Sequence, residues 1–247
     1  MLPAAFLARP IAHRALHGTA GPENSRDAIR AAVEAGYGIE IDLQPSRDGQ
    51  AMVFHDYDLG RLTGEKGPIR QRDAAALAGL ALKGTGDGIP TLPEVLGLVA
   101  GRVPLLIELK DQHGSMGETD GTLETATAAA LEGYDGPVAV MSFNPHMVAR
   151  MAGLLPGLPR GLTTCAYPAK DWLTLPRAVR THLARIPDFD RTGASFVSHQ
   201  HTDLSSQPVA ALKARGVPVL CWTIRTPDQA GTARRVADQI TFEGFAA

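Results

Sequence analysis

The sequence predicts an α/β protein folded as a (β/α)8 TIM barrel, with a small excursion after the second strand. Three observations carry this. Apolar, β-branched segments alternate with helix-like segments almost to the end of the chain, as parallel strands joined by crossover helices do. Eight such units fit within 247 residues, the usual scale of a closed barrel. The first strand runs into His13-Arg14-Ala15-Leu16-His17-Gly18, which is not the G-x-G-x-x-G turn of an open dinucleotide-binding sheet. Residues 1–247 are read as a single domain.

Strands are expected near Ile11–Arg14, Gly38–Gln44, Val103–Lys110, Val138–Ser142, Arg160–Thr164, Ser195–Ser198, Val217–Trp222 and Gln239–Phe242. Ser25 to Ala35 reads as a helix. Ala28, Ile29, Ala32 and Val33 fall on one face, and Gly36 stands just past the end as a C-cap. After the second strand, Asp48-Gly49 marks a β-turn, so the chain folds back through Ala51-Met52-Val53-Phe54 to reach His55-Asp56. The loop-rich stretch from Tyr57 to Pro90 is the excursion over one end of the barrel. Thr91-Leu92-Pro93-Glu94 is a capping box that opens a helix with Val95, Leu96 and Val99 inside. Asn144–Leu155, Pro208–Arg215 and Pro227–Val236 form further helical units.

Composition narrows the function. Hydrophobic residues make up 44% and charged residues 20%, ordinary for a globular protein in water. A net charge of −2 makes no electrostatic case for nucleic acid or an anionic membrane. No apolar run approaches bilayer length. Met1–Arg9 lacks the basic n-region and the long apolar core of a signal peptide. A cytoplasmic protein without stable membrane association is expected. Cys165 and Cys221 sit in apolar, strand-like contexts and match no zinc motif. They are expected to be inert core thiols.

The chemistry lies in Ile39-Glu40-Ile41-Asp42-Leu43 and Leu105-Leu106-Ile107-Glu108-Leu109-Lys110. Residues two apart in a strand share a face, so Glu40 points with Asp42, and Glu108 with Lys110. Buried carboxylates are costly unless they are paired or hold a metal. In a barrel the C-terminal strand ends build the active site, so these residues converge with His13, Arg14 and His55 on one mouth. A divalent cation relieves the mutual repulsion of Glu40, Asp42 and Glu108. Oxygen donors favour magnesium or calcium, with manganese also admissible. Arg14 and Lys110 are placed to hold a phosphate, and His13 and His55 to serve as general base and general acid. The pattern points to metal-dependent chemistry on a phosphoester.

His13-Arg14, Pro22-Glu23-Asn24-Ser25, Ile39-Glu40-Ile41-Asp42, Asp48-Gly49, Val53-Phe54-His55-Asp56, Arg61-Leu62-Thr63-Gly64 and Ile107-Glu108-Leu109-Lys110 resemble the motifs of the glycerophosphodiester phosphodiesterase family, in order and spacing. Cys221-Trp222-Thr223 resembles that family's later W-T motif. The resemblance implies a (β/α)8 barrel with Glu40, Asp42 and Glu108 as metal ligands and His13 and His55 as the acid/base pair. It implies hydrolysis of a small glycerophosphodiester to an alcohol and glycerol 3-phosphate. Two rivals stand beside it: a phospholipase-like lyase that stops at a cyclic phosphate, and a barrel that binds phosphate esters without turning them over. Oligomeric state is not written in these motifs.

Two positions depart from the family pattern. Ala15 stands where glycine is usual after His-Arg, a small change unless the backbone there needs a positive φ. Thr241-Phe242-Glu243 stands where the last strand usually ends in Thr-Asp. Several residues carry weaker expectations. Asn24 is expected to cap the following helix or fix a mouth loop. His17 lies near the mouth, as does Ser198-His199-Gln200-His201. Trp222 is expected to line the apolar side of the substrate. Asp111–Asp120 reads as a solvated connector or a lid.

Overall fold

The computed structural model describes residues 1–247. Its strands are β1 Ile11–Ala12, β2 Gly38–Pro45, β3 Ala51–Val53, β4 Leu105–Leu109, β5 Val138–Ser142, β6 Arg160–Thr164, β7 Phe196–Gln200, β8 Val219–Ile224 and β9 Gln239–Phe242. Its helices are α1 Ala5–Ala8, α2 Arg26–Ala35, α3 Ala74–Ala78, α4 Leu92–Val99, α5 Thr122–Leu131, α6 Pro145–Leu154, α7 Arg177–Leu183, α8 Gln207–Ala214 and α9 Pro227–Ala233. Eight strands close a parallel ring in the order β1-β2-β4-β5-β6-β7-β8-β9, and β1 pairs with both β2 and β9. This is the (β/α)8 barrel that the alternation predicts. β3 stands outside the ring, antiparallel to β2, with Leu43 opposite Val53. The turn between them places Gly49 at φ +79°, which a glycine adopts at little cost.

Alternation along the strands divides the core in two. Ile39, Ile41, Leu43, Leu105, Ile107 and Leu109 belong to an outer layer of 41 buried residues shared with the helices. A second cluster gathers Leu2, Phe6, Ile11, Leu106, Ala139, Met141, Phe196 and Leu220. It contains the inward residues of several strands, and Phe6 of α1 packs with them. α1 carries no sequence signal of its own: it is only four residues long, and isolated helices of that length have no stability of their own. Its place comes from the burial of Phe6.

Helix ends follow their sequence signals. Ser25 caps α2 by accepting from the Ala28 N–H, and Gly36 closes it at φ +71°. Thr91 and Glu94 form the expected capping box of α4. Several boundaries differ from expectation: β4 is Leu105–Leu109 rather than Val103–Lys110, β8 is Val219–Ile224 rather than Val217–Trp222, and α9 stops at Ala233 rather than Val236. β1 ends at Ala12 rather than Arg14, because Arg14 and Ala15 turn to φ +52° and +65°. β7 runs on to Gln200. The excursion has a core of its own in Met52, Phe54, Leu59, Ile69, Leu77, Leu82 and Ile89. Both cysteines are buried and free, and burial pushes their thiols up to about 11 for Cys165 and about 12 for Cys221. No helix is long and apolar enough to cross a membrane.

The barrel interior is packed tightly enough to test. A Cβ on Gly161 would lie 2.4 Å from the Phe196 ring, which is fully buried. Gly161→Ala should therefore cost roughly 1–3 kcal/mol through overpacking, read as a lower urea midpoint at unchanged slope.

Candidate active site

The mouth is built by the strand period. Glu40 and Asp42 project inward from β2, and Glu108 projects inward from β4, where the register sets Asp42 beside Glu108. All three are buried. One oxygen of each lies within 4.8 Å of the others. Lys110 follows β4 on the same face. Its Nζ is 2.7 Å from Asp42 Oδ1 and 2.5 Å from Glu108 Oε1. Arg14 Nε is 3.5 Å from Asp42 Oδ2, but the same guanidinium also pairs with Glu23.

Three carboxylates thus face one ammonium and a shared guanidinium, and the deficit is visible in their acidity. Burial, with Asp42 and Glu108 adding repulsion, pushes Glu40 well above its ordinary range. Burial also opposes ionisation of Asp42, but Lys110, His55 and Arg14 outweigh it and hold that carboxyl low. Burial disfavours the Lys110 charge, yet Asp42 and Glu108 raise its pKa. Asp42 ionises against Lys110, and Glu40 is left as the residue most in need of a further positive charge. An all-oxygen, buried, under-compensated donor set of this kind fits a hard divalent cation.

The loop after β1 holds the carboxylates from behind. Arg14, Ala15 and Asn24 all have positive φ, at +52°, +65° and +59°. That geometry points the Arg14 backbone N–H at Glu40 Oε2, 2.9 Å away. Asn24 donates from Nδ2 to Asp42 Oδ2 at 3.0 Å. The left-handed position of Ala15 is one that glycine would occupy with less strain. Its methyl is buried in the outer core, which offsets part of that cost. Asn24 does not cap α2, since Ser25 does; its amide positions Asp42.

Each mouth histidine rests on a carboxylate. His13 Nδ1 is 2.6 Å from Glu243 Oε2, and His55 Nδ1 is 2.7 Å from Asp56 Oδ1. A carboxylate acceptor makes Nδ1 the N–H donor and leaves Nε2 for other work. Arg61 holds Asp56 through Nε at 2.5 Å and ties it to Glu23. Burial pushes the His13 pKa down, with Glu243 pulling against it.

All eight residues expected at the site line one cavity of about 230 Å³: His13, Arg14, Glu40, Asp42, His55, Glu108, Lys110 and Trp222. Trp222 donates its indole N–H to the Ser198 carbonyl at 3.0 Å and stands edge-on to Phe143 at 5.5 Å. Phe143 also lines the cavity, which gives the mouth an apolar wall. His201 reaches the same cavity, whereas His199 does not. His199 faces outward from β7, fully buried, bonded to Thr164 and Asp203. His17 lies beside Glu243, with Nε2 at 3.5 Å. The Asp111–Asp120 stretch is pinned: Asp111 accepts from Asn144 and from the Met116 N–H.

Glu23, Asp56 and Arg61 fall within the sequence motifs, and Glu243 at a departure from them; only the structure shows what each side chain contacts. Asp56 was discoverable from its adjacency to His55. Nothing local pointed to Glu243, whose partner lies 230 residues away.

The chain is similar to known proteins over most of its length. The model of the glycerophosphoryl diester phosphodiesterase family matches residues 13–239. The protein YhdW of Bacillus subtilis (strain 168) is 28% identical over 225 residues, spanning 87% of this chain and 85% of its own. A glycerophosphodiester phosphodiesterase of Caldanaerobacter subterraneus is 28% identical over 213 residues, spanning 82% and 80%. An Oleispira antarctica phosphodiesterase, solved with its product sn-glycerol-3-phosphate, superposes with a TM-score of 0.79 at 25% identity, covering 97% of this chain and 94% of that one.

The raised pKa of Glu40 has a measurable sign. A carboxyl whose folded pKa is raised contributes stability fully below its unfolded value, near 4.5, and loses it as pH rises through the folded value. In protein stripped of divalent ions, Glu40→Gln mimics the protonated form. It should raise Tm at neutral pH, by about 2–4 °C for each kcal/mol recovered. The gain should close as pH falls toward the ordinary carboxylate range. A large fall in Tm instead would make Glu40 a structural carboxylate.

Proposed function

The chain belongs to the glycerophosphoryl diester phosphodiesterase family, enzymes that hydrolyse glycerophosphodiesters, and from that premise we propose a metal-dependent, two-histidine mechanism at the barrel mouth. The products are an alcohol and sn-glycerol 3-phosphate. One observation carries the reading: an under-compensated oxygen cluster of Glu40, Asp42 and Glu108 shares a single cavity with two carboxylate-backed histidines and two cations. The Oleispira antarctica relative holding sn-glycerol-3-phosphate in a similar fold supports the substrate class.

Glu40, Asp42 and Glu108 would hold the ion. A divalent cation there, magnesium or calcium by its oxygen donors and manganese as a further candidate, supplies Lewis acidity and neutralises phosphate charge. Arg14 and Lys110 bind the phosphate oxygens and spread the negative charge that develops in the transition state. One histidine takes the proton of the attacking hydroxyl through Nε2. The other donates a proton to the leaving alkoxide. The attacking hydroxyl is that of water, or that of the neighbouring glycerol carbon followed by opening of the cyclic phosphate by water. Both routes consume one water and end in the same products. Trp222 lines the apolar side of the substrate.

A panel of glycerophosphodiesters with magnesium, manganese or calcium, followed by phosphorus NMR, tests the reaction. Glycerol 3-phosphate should accumulate. A cyclic phosphate as the final product, or tight binding without any product, would overturn hydrolysis. Chelation should abolish turnover and a divalent ion should restore it; full activity in metal-stripped protein would sink the metal assignment. His13→Ala and His55→Ala should each lower turnover by roughly 10²-fold or more, with a smaller change in phosphate affinity. A p-nitrophenyl phosphodiester, whose leaving group needs little protonation, should rescue the mutant lacking the acid and not the one lacking the base.

A further inference from the structure

We propose that Glu243 is the positioning residue for His13, holding its imidazole in one tautomer and orientation for the proton transfer assigned to it above. This rests on the two-histidine reading and adds to it the group that sets one histidine. The contact is a product of barrel closure. β1 and β9 pair with Ala12 opposite Phe242, and the His13 N–H donates to the Phe242 carbonyl at 2.8 Å. The next residues, His13 and Glu243, therefore leave the ladder side by side. Glu243 is itself fixed: its backbone N–H donates to the Ile224 carbonyl at 2.9 Å, and its Oε1 lies 2.7 Å from Arg225 Nε. That leaves Oε2 aimed at His13 Nδ1, at 2.6 Å.

The second histidine provides an internal comparison. His55, Asp56 and Arg61 form a chain of imidazole, carboxylate and guanidinium. His13, Glu243 and Arg225 form the same kind of chain at the same cavity. In the first, the carboxylate is the next residue in sequence. In the second, it arrives from the far end of the polypeptide, and the longer glutamate side chain spans the gap between two strand ends. Two such chains on two histidines of one mouth argue for a shared purpose.

The purpose follows from electrostatics. His13 is mostly buried, with 13% of its side chain exposed, and burial disfavours its charged form. A carboxylate 2.6 Å from Nδ1 returns stability to the imidazolium when a proton is taken up. It also keeps the proton of the neutral ring on Nδ1, so that Nε2 carries the lone pair. Without the carboxylate the ring is free to take the other tautomer, which has the wrong atom toward the substrate. His17 Nε2 lies 3.5 Å from the same oxygen and has no hydrogen-bond partner of its own.

The test is a double-mutant cycle on a glycerophosphodiester with the divalent ion present. Glu243→Gln should lower kcat by roughly 10²-fold, the scale on which positioned acid/base catalysis operates, with KM within about threefold. In the His13→Ala background the same substitution should cost nothing further, because groups that act as one unit are not additive. Arg225→Gln leaves the His13 contact in place, and should give a smaller fall in kcat that also vanishes in the His13→Ala background. It reads the same contact should Glu243→Gln fail to fold. Wild-type kcat in Glu243→Gln, or an equal loss with and without His13, would overturn the proposal. Wild-type turnover in His13→Ala would instead overturn the two-histidine reading itself, so the two failures are distinct.

Discussion

The organisation of this molecule depends on an electrostatic deficit at the open end of the barrel. Glu40, Asp42 and Glu108 are brought together by the strand period and by the register of β2 against β4. Lys110 and part of Arg14 answer them incompletely. Carboxylates in that position are tolerated only because neighbouring groups are spent on them: the Arg14 N–H on Glu40, the Asn24 amide on Asp42, the Lys110 ammonium on two of the three. Under the proposed function, a divalent cation held by these three carboxylates would convert their repulsion into coordination.

Tolerating this polar layer requires stability elsewhere. The same inward faces that carry Glu40 and Glu108 carry Leu106, Ala139, Phe196 and Leu220 at neighbouring levels. Phe6, brought by a four-residue helix, completes that apolar cluster. The outer layer of 41 buried residues ties strands to helices around it. Apolar burial of this extent is the dominant favourable term in folding, and it leaves the mouth free to hold groups in costly arrangements. The left-handed residues Arg14, Ala15 and Asn24 are examples. Their strain aims one N–H and one amide at the carboxylates, which is how such strain is commonly used at functional sites.

The histidines show a second theme, the layering of support. Neither imidazole stands alone; each leans on a carboxylate, and each carboxylate leans on an arginine. Glu23 joins the His55 system to the carboxylate cluster by pairing with both Arg61 and Arg14. A substitution at Glu23 or Arg61 would therefore disturb Arg14 and the His55 support together.

Much of this was legible in the amino-acid sequence, for a local reason. Side chains in a strand alternate with period two, so Glu40 with Asp42, and Glu108 with Lys110, are assigned to one face by counting. The barrel follows from eight alternations, and the helix ends at Ser25, Gly36 and Thr91 from capping chemistry that acts within a few residues. The expected site residues all line one cavity for the same reason: strand ends meet at a barrel mouth. What the tertiary structure alone decided is whatever depends on two distant segments meeting. The Glu243–His13 pair exists because β9 closes on β1. Asn24 serves Asp42 rather than α2 because the left-handed turn after β1 carries it back over β2. His199 faces away from the mouth because β7 extends two residues further than its apolar pattern marks. Phe6 is core because α1 docks it there. Ring closure fixes which residues are neighbours across more than 200 positions, and no local period or propensity encodes that distance.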